Sequence, residues 1–212
     1  MWPANGLTER LRLKWPIFQA PMGLVTTPAL AAAVSNAGGL GGLGMWGLSA
    51  EDAARTIAGF RQQSGGSLNA NYPLWPEPVH TPEIGEPMRR HLQTIYDAKG
   101  LGSVPEPQGT ASDVSREHVA MLLETKPEVV SFHFGLPEPE IVAEIKSAGI
   151  FVISSATTVA EARMLERHGV DAIIAQGTEA GGHRATFTGV ISPCSRVCFR
   201  CCPKSSTRWA CR

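Results

Sequence analysis

The chain has 212 residues, of which 43% are hydrophobic, and this length and composition predict one domain of ordinary size with a substantial core. Nineteen basic and nineteen acidic side chains give a formal net charge of zero, which argues against nucleic acid or anionic lipid and favours a small-molecule partner. No apolar stretch reaches the ~18 residues of a membrane span and no secretory signal is visible, so we expect a cytoplasmic protein.

Short apolar runs alternate with helical patterns along residues 1–190. Strands are predicted at 16–20, 40–43, 68–71, 129–134, 150–154 and 170–175. Helices are predicted at 28–36, 50–62, 88–98, 115–124, 139–148 and 159–168. Six βα steps of this kind imply parallel pairing, and strands rich in Val, Ile and Phe indicate a sheet that is buried on both faces.

Residues 72–112 interrupt this alternation and predict a lid inserted into a barrel domain that spans residues 1–190. Prolines crowd the first half of this segment and argue against regular structure there: Pro73, Pro76, Pro78, Pro82 and Pro87. After the helix at 88–98, a second stretch of proline and glycine runs to residue 109.

Polar and glycine-rich clusters follow every predicted strand, and this distribution separates two architectures. The clusters are at 19–23, 41–44, 69–72, 132–135, 154–157 and 176–184. A doubly wound sheet concentrates its glycine loop after the first strand, whereas a barrel assembles its site from all the βα loops. The glycines near residue 40 also lack the dinucleotide fingerprint. We therefore predict an α/β fold of the TIM (β/α)8 type, incomplete, with about six βα units and without strands seven and eight.

Residues 175–184 are the clearest candidate for chemistry. Gly181 and Gly182 can adopt positive φ and carry no Cβ, so the backbone can approach a flat ligand closely. His183 has the side chain whose ordinary pKa best suits proton transfer near neutrality. A surface histidine in a flexible glycine loop is the alternative interpretation, because loops gather both residue types without any chemistry.

Six motifs occur in an order that resembles one enzyme family. They are Gln-Ala-Pro-Met-Gly at 19–23, the glycine-rich run at 38–44, Asn-Ala-Asn at 69–71, Ser-Phe-His-Phe-Gly at 131–135, Ile-Ser-Ser-Ala at 153–156 and the run at 175–184. Together they resemble class I nitronate monooxygenases, formerly called 2-nitropropane dioxygenases, over residues 10 to about 190. The resemblance implies a barrel that binds flavin mononucleotide (FMN) and uses O2 to oxidise alkyl nitronates or nitroalkanes to carbonyl compounds and nitrite.

The resemblance also implies roles for individual residues. His183 would be the catalytic base, which takes the acidic proton next to a nitro group. His133 is a second candidate, either as a satisfied barrel histidine or as a substrate contact. The positions that would bind FMN are Ala20, Pro21, Met22, Gly23, Asn69, Gln176, Gly181 and Gly182. We predict no resident metal, and the oligomeric state stays open.

Residues 191–212 differ in composition from the rest of the chain. All five cysteines lie in this segment, which has neither strand nor helix periodicity. A zinc site at Cys198, Cys201 and Cys202 is one interpretation, but adjacent cysteines fit a single tetrahedral site poorly. We favour a disordered Cys- and Arg-rich tail, produced by a shifted reading frame after about residue 190, in a chain that is C-terminally truncated.

Two other functions stay open at this point. A related FMN barrel such as an enoyl reductase would share the 180–183 turn, so the motifs do not exclude it. A non-catalytic truncated fragment is the other possibility, because flavin barrels hold the phosphate on loops after strands seven and eight.

Overall fold

A computed structural model of the chain describes residues 5–75, 82–106 and 114–188. The chain divides into a larger unit, Met1–Leu74 with Ser112–Arg212, and a smaller unit, Trp75–Ala111. The predictions for the tail at 191–212, including the frame shift and the zinc site, fall outside the described residues. No helix within the described ranges combines the length and the apolar character that a bilayer crossing requires.

The larger unit is built on one parallel sheet whose strands follow their order in the chain. The strands are β1 (Gly41–Gly44), β2 (Leu68–Pro73), β3 (Val129–His133), β4 (Phe151–Ala156) and β5 (Ala172–Ala175). Each strand pairs in parallel with the next, from β1 to β5, and the order never reverses. A doubly wound sheet would reverse at its switch point, so this order is that of a TIM-type barrel and confirms the predicted fold class.

The prediction of a regular strand at 16–20 is wrong. Phe18 forms only an isolated parallel bridge with Leu40, so the described residues contain five strands and this bridge, not six strands. The N–H of Gln19 donates to the Leu40 carbonyl at 2.9 Å. The next donor of such a ladder would be the N–H of residue 21, which is a proline and has none, so the pairing ends there.

Helices connect the strands as predicted, with ends that agree within a few residues outside the smaller unit. The helices in the described residues are α1 (Gly6–Arg10), α2 (Pro28–Asn36), α3 (Ala50–Arg61), α4 (Pro82–Lys99), α5 (Arg116–Thr125), α6 (Pro139–Ser147) and α7 (Val159–Arg167). Hydroxyl caps begin several of them: the Oγ of Ser49 accepts from Asp52 N–H at the start of α3, and Ser115 caps α5 in the same way. The five-residue α1 was not predicted, although Asn5 and Thr8 form a capping box at its start.

The smaller unit contains α4, which contradicts the expectation that its prolines forbid regular structure. The helix begins at Pro82, in the first helical position, where no backbone N–H partner is needed. It then continues through Pro87, which removes a single N–H from a helix of 18 residues. A lid function for the segment 72–112 remains a proposal.

Strands β1 to β4 are largely buried on both faces, as their apolar residues predict, whereas the four residues of β5 are only half-buried or exposed. Val130 and Val152 belong to a large core that also includes Phe60 and other side chains of the surrounding helices. Their neighbours Val129 and Ile153 belong to a second cluster on the opposite face of the sheet. Burial on both faces is expected for parallel strands covered by helices.

Candidate active site

Polar residues gather where the strands of the larger unit end. Asn71 lies in the second half of β2, His133 is the last residue of β3, and Ser155 is next to last in β4. The loop that carries His183 follows β5. Because the strands are parallel, their carboxyl ends share one edge of the sheet. The structure therefore brings these residues to the edge at which a barrel builds its site.

The segment from Gln19 to Gly23 lies against the glycines of β1. A Cβ added to Gly42 would stand 2.7 Å from the carbonyl oxygen of Gln19, and a Cβ added to Gly44 would stand 2.8 Å from the amide nitrogen of Gly23. Real Cβ atoms do not approach backbone so closely, so both positions require glycine. The glycine-rich strand thus sets where this segment lies.

The same segment presents apolar groups at the strand ends. Ala20 and Met22 are exposed, whereas Pro21 and Gly23 are half-buried. A Cβ added to Gly23 would stand 3.7 Å from the ring of Trp46, and the Trp46 side chain is itself 43% exposed. These groups offer soft, largely apolar contacts of the kind that suits a flat aromatic ligand.

Asn69 lies further from the carboxyl end of β2 than predicted, because the strand continues to Pro73 and Asn69 is its second residue. It pairs in register with Gly42, so both residues project from the same face of the sheet. Gln19 also lies next to Gly42, and its Oε1 accepts a hydrogen bond from Gly42 N–H at 3.2 Å. Asn69 and Gln19 therefore flank the same glycine.

Two polar atoms at this place are buried without a partner among the described residues: Oδ1 of Asn69 and Nε2 of Gln19. One is an acceptor and the other a donor. An unpaired buried polar group costs about 1–3 kcal/mol, so such atoms are uncommon away from ligand sites. An unpaired acceptor and an unpaired donor of this kind suit a polar ligand that carries both a donor and an acceptor.

Gln176 holds the loop that carries His183. Its Nε2 donates to the His183 carbonyl at 2.8 Å, and its Oε1 accepts from Ala185 N–H at 2.8 Å. Gly182 adopts φ +79°, as predicted, whereas Gly181 does not adopt positive φ. Each polar atom of the Gln176 side chain keeps capacity for one more hydrogen bond, so the loop contacts do not exclude a ligand contact.

Two histidines meet at this edge of the sheet. The rings of His183 and Phe134 lie edge to face, with centroids 6.4 Å apart. His133 lies more deeply, with Nδ1 at 2.6 Å from the Oγ of Ser155. Burial, and after it the electrostatic interaction with His183, lowers the pKa of His133 below its ordinary value and so favours the neutral form. His183 is the exposed member of the pair.

The sequence analysis placed Ser155 in a motif without giving it a role, and it did not single out Glu161; the structure gives specific contacts to both. The hydroxyl of Ser155 is fully buried and reaches His133 across neighbouring strands. Glu161 is also fully buried, as the third residue of α7 in a capping box with Thr158. The Thr-x-x-Glu spacing was a usable signal for that box, but not for the further contacts of the carboxylate.

Comparison with known proteins points to one family. The family model described as nitronate monooxygenase matches residues 5–193. A nitronate monooxygenase of Paraburkholderia phytofirmans is 42% identical over 189 residues, which cover 86% of this chain and 50% of that protein.

Solved structures agree with this result. A nitroalkane oxidase from Streptomyces ansochromogenes superposes with a TM-score of 0.75 at 38% identity, over 88% of this chain and 52% of that one. FabK from Thermotoga maritima gives a TM-score of 0.63 at 30% identity, over 86% of this chain and 47% of that one. The chain thus spans about half the length of the relatives it matches.

Proposed function

Because this chain belongs to the nitronate monooxygenase family, we propose that its site oxidises alkyl nitronates or nitroalkanes with O2, using FMN as cofactor and His183 as base. The products would be a carbonyl compound and nitrite. The observation that carries the proposal is the unpaired pair, Asn69 Oδ1 and Gln19 Nε2, buried beside a glycine-lined apolar segment. Similarity to a nitroalkane oxidase supports the same substrate class.

The residues present suit a flavin. The pyrimidine edge of its ring carries one N–H donor between two carbonyl acceptors, which complements an unpaired acceptor on Asn69 and an unpaired donor on Gln19. Besides Gln19, eight residues would hold the cofactor: Ala20, Pro21, Met22, Gly23, Asn69, Gln176, Gly181 and Gly182. When bound, the flavin supplies the electron acceptor that the reaction needs and that no side chain can provide.

His183 would take the proton from the carbon next to the nitro group. Its imidazole is exposed beside Phe134, whose ring supports it from one side. The lowered pKa of His133 favours its neutral form, so the positive charge that would form on His183 does not meet a second cation. We propose His133 as a neutral substrate contact that Ser155 holds in place.

A related FMN barrel such as an enoyl reductase is the second candidate. The chain resembles FabK as well as the nitroalkane oxidase, so the barrel alone does not separate these chemistries. The distinguishing feature is the substrate: a nitronate is oxidised and needs only O2 as co-substrate, whereas an enoyl thioester is reduced and needs a hydride donor instead of O2.

Turnover by the FMN-loaded 212-residue chain tests the proposal. Nitronate and nitroalkane should each give O2 consumption and nitrite, and an enoyl thioester with a nicotinamide donor should give no reaction. His183→Ala should abolish nitroalkane turnover, whereas His168→Ala, an exposed histidine at the end of α7, should leave it unchanged. Reduction of the thioester without nitronate turnover would support the second candidate instead.

A further inference from the structure

Glu161 is a buried carboxylate with an unusual number of donors around it. It is 0% exposed. Its Oε2 accepts from Thr157 N–H and Thr157 Oγ1, both at 2.7 Å, and from Thr158 N–H at 3.1 Å. Its Oε1 accepts from Phe187 N–H at 2.9 Å and more weakly from the N–H and Oγ1 of Thr188, at 3.4 and 3.3 Å. Each oxygen therefore serves a different part of the chain.

Helix capping explains the contacts of only one of the two carboxylate oxygens of Glu161. The capping box with Thr158 uses Oε2, and the helix start needs nothing more from the side chain. Oε1 instead binds the backbone at Phe187, 26 residues further along the chain. A carboxylate that only capped α7 would have no reason to be fully buried under a distant segment.

The segment that Oε1 holds is continuous with the loop of His183. Arg184 donates from Nη2 to the Thr157 carbonyl at 3.3 Å, and the hydroxyls of Thr186 and Thr157 are 3.0 Å apart. Gln176 holds the His183 carbonyl on the other side. The backbone around His183 is therefore tied to β5 by Gln176 and to the start of α7 by Glu161 and Thr157.

We propose that Glu161 is a positioning residue for His183, acting through Oε1 on the backbone that follows the loop. This proposal rests on the proposed function, in which His183 is the base. The backbone of this loop carries the exposed imidazole of His183 to its place beside Phe134, so contacts that hold the backbone help to set that place. Loss of the carboxylate leaves the N–H groups of Phe187 and Thr188 without this acceptor, and the loop can then take other conformations.

Glu161→Gln is the first test, because the amide keeps the size of the side chain but places an NH2 group against donors. With a nitroalkane, which must lose a proton, kcat/KM should fall by about 10- to 100-fold, since small misplacements of a catalytic group have effects of this size. With the corresponding nitronate, which is already deprotonated, kcat/KM should change less than about threefold. Glu166→Gln, an exposed glutamate in the same helix, is the matched control and should change neither value.

Glu161→Asp is the second variant, in case the glutamine variant does not fold. It keeps a charge at the helix start, but its shorter side chain cannot reach both Thr157 and Phe187. We again expect kcat/KM to fall with the nitroalkane and to stay nearly unchanged with the nitronate. An equal loss with both substrates, or no loss with either, would overturn the positioning role.

Proteolysis tests the inference without relying on turnover. Trypsin cleavage after Arg184 should become about tenfold faster in Glu161→Gln, because cleavage follows the population of the opened loop. Cleavage after the exposed Arg116, at the start of α5, should keep its rate. If cleavage at Arg184 is unchanged although the parent protein turns over nitro compounds, the inference is wrong while the proposed function stands. If it rises in a protein that does not act on nitro compounds, the anchoring is supported and the proposed function fails.

Discussion

Replacement of Gly44 by alanine tests how the cofactor segment is held. The added Cβ would stand 2.8 Å from the Gly23 nitrogen, 3.0 Å from the Gly23 Cα and 3.2 Å from the Met22 carbonyl carbon. Comfortable contacts between such atoms are about 3.5–4.0 Å, so the segment must move by roughly 0.5–1 Å. All three atoms belong to the backbone, and none can rotate away.

The segment does not yield freely, because a turn fixes it. Met22 N–H donates to Thr26 Oγ1 at 3.0 Å, and Thr26 N–H donates back to the Met22 carbonyl at 2.9 Å. Overpacking of this kind typically costs about 1–3 kcal/mol of unfolding free energy. If FMN binds against Met22 and Gly23, as proposed, the displaced segment should also weaken FMN binding by about tenfold or more, since 1.4 kcal/mol corresponds to a factor of ten.

Urea unfolding and FMN titration measure the two effects separately. Gly59→Ala is the matched control: its Cβ would meet the Cβ and Cγ of Pro28 at an ordinary 3.5 Å, within helix α3. Alanine is also the better helix former there, by about 0.8–1 kcal/mol, so the control should be as stable as the parent or more so. The reasoning is refuted if Gly44→Ala keeps both the urea midpoint and the Kd for FMN of the parent protein.

Three further predictions follow from the site. Asn69→Ala removes the unpaired acceptor and should raise the Kd for FMN about tenfold or more without lowering the urea midpoint, whereas an unchanged Kd would argue against contact with the flavin. Burial raises the pKa of Glu161, but hydrogen bonds led by Thr157 and Phe187 outweigh burial and place the pKa below the ordinary 4.5. Its stabilisation should therefore be complete above pH 4.5 and disappear as the pH falls through the lower folded value, and Glu161→Gln should remove this part of the acid dependence of the urea midpoint. In His183→Ala, FMN should bind with the parent Kd while nitroalkane turnover is lost, and a large loss of FMN affinity would mean that His183 holds the cofactor instead.

Most of the fold could be predicted because its signals are local. Helices α2 and α3 begin at caps and end where the apolar pattern stops, and their bounds agree with the prediction to within one residue. The prediction of a strand at 16–20 was wrong because the length of that strand depends on whether residue 21 has an N–H that can donate to the neighbouring strand. The predicted start of α4 was wrong because a helix tolerates proline at some positions and not at others, and composition does not give the position.

The candidate site likewise contains features that the sequence predicts and contacts that it does not predict. The position of His183 in a glycine-rich loop after β5 could be predicted, because a glycine cluster that follows an apolar run has a recognisable pattern, whereas its role as base stays a prediction. The contact of Ser155 with His133 and the Oε1 contacts of Glu161 could not be predicted, since the partners are more than twenty residues apart in the chain. Gln176 was predicted to contact the cofactor, but its binding of the His183 loop depends on a turn that only the structure gives.

Titration of the full 212-residue chain with FMN, followed by absorbance and fluorescence, is the most direct test of the central claim that this site holds a flavin. We predict saturable binding with a shifted flavin spectrum, and a higher Kd in Asn69→Ala than in the matched exposed variant Asn36→Ala. A chain that is folded by circular dichroism but leaves the flavin spectrum unchanged at every FMN concentration would contradict the claim.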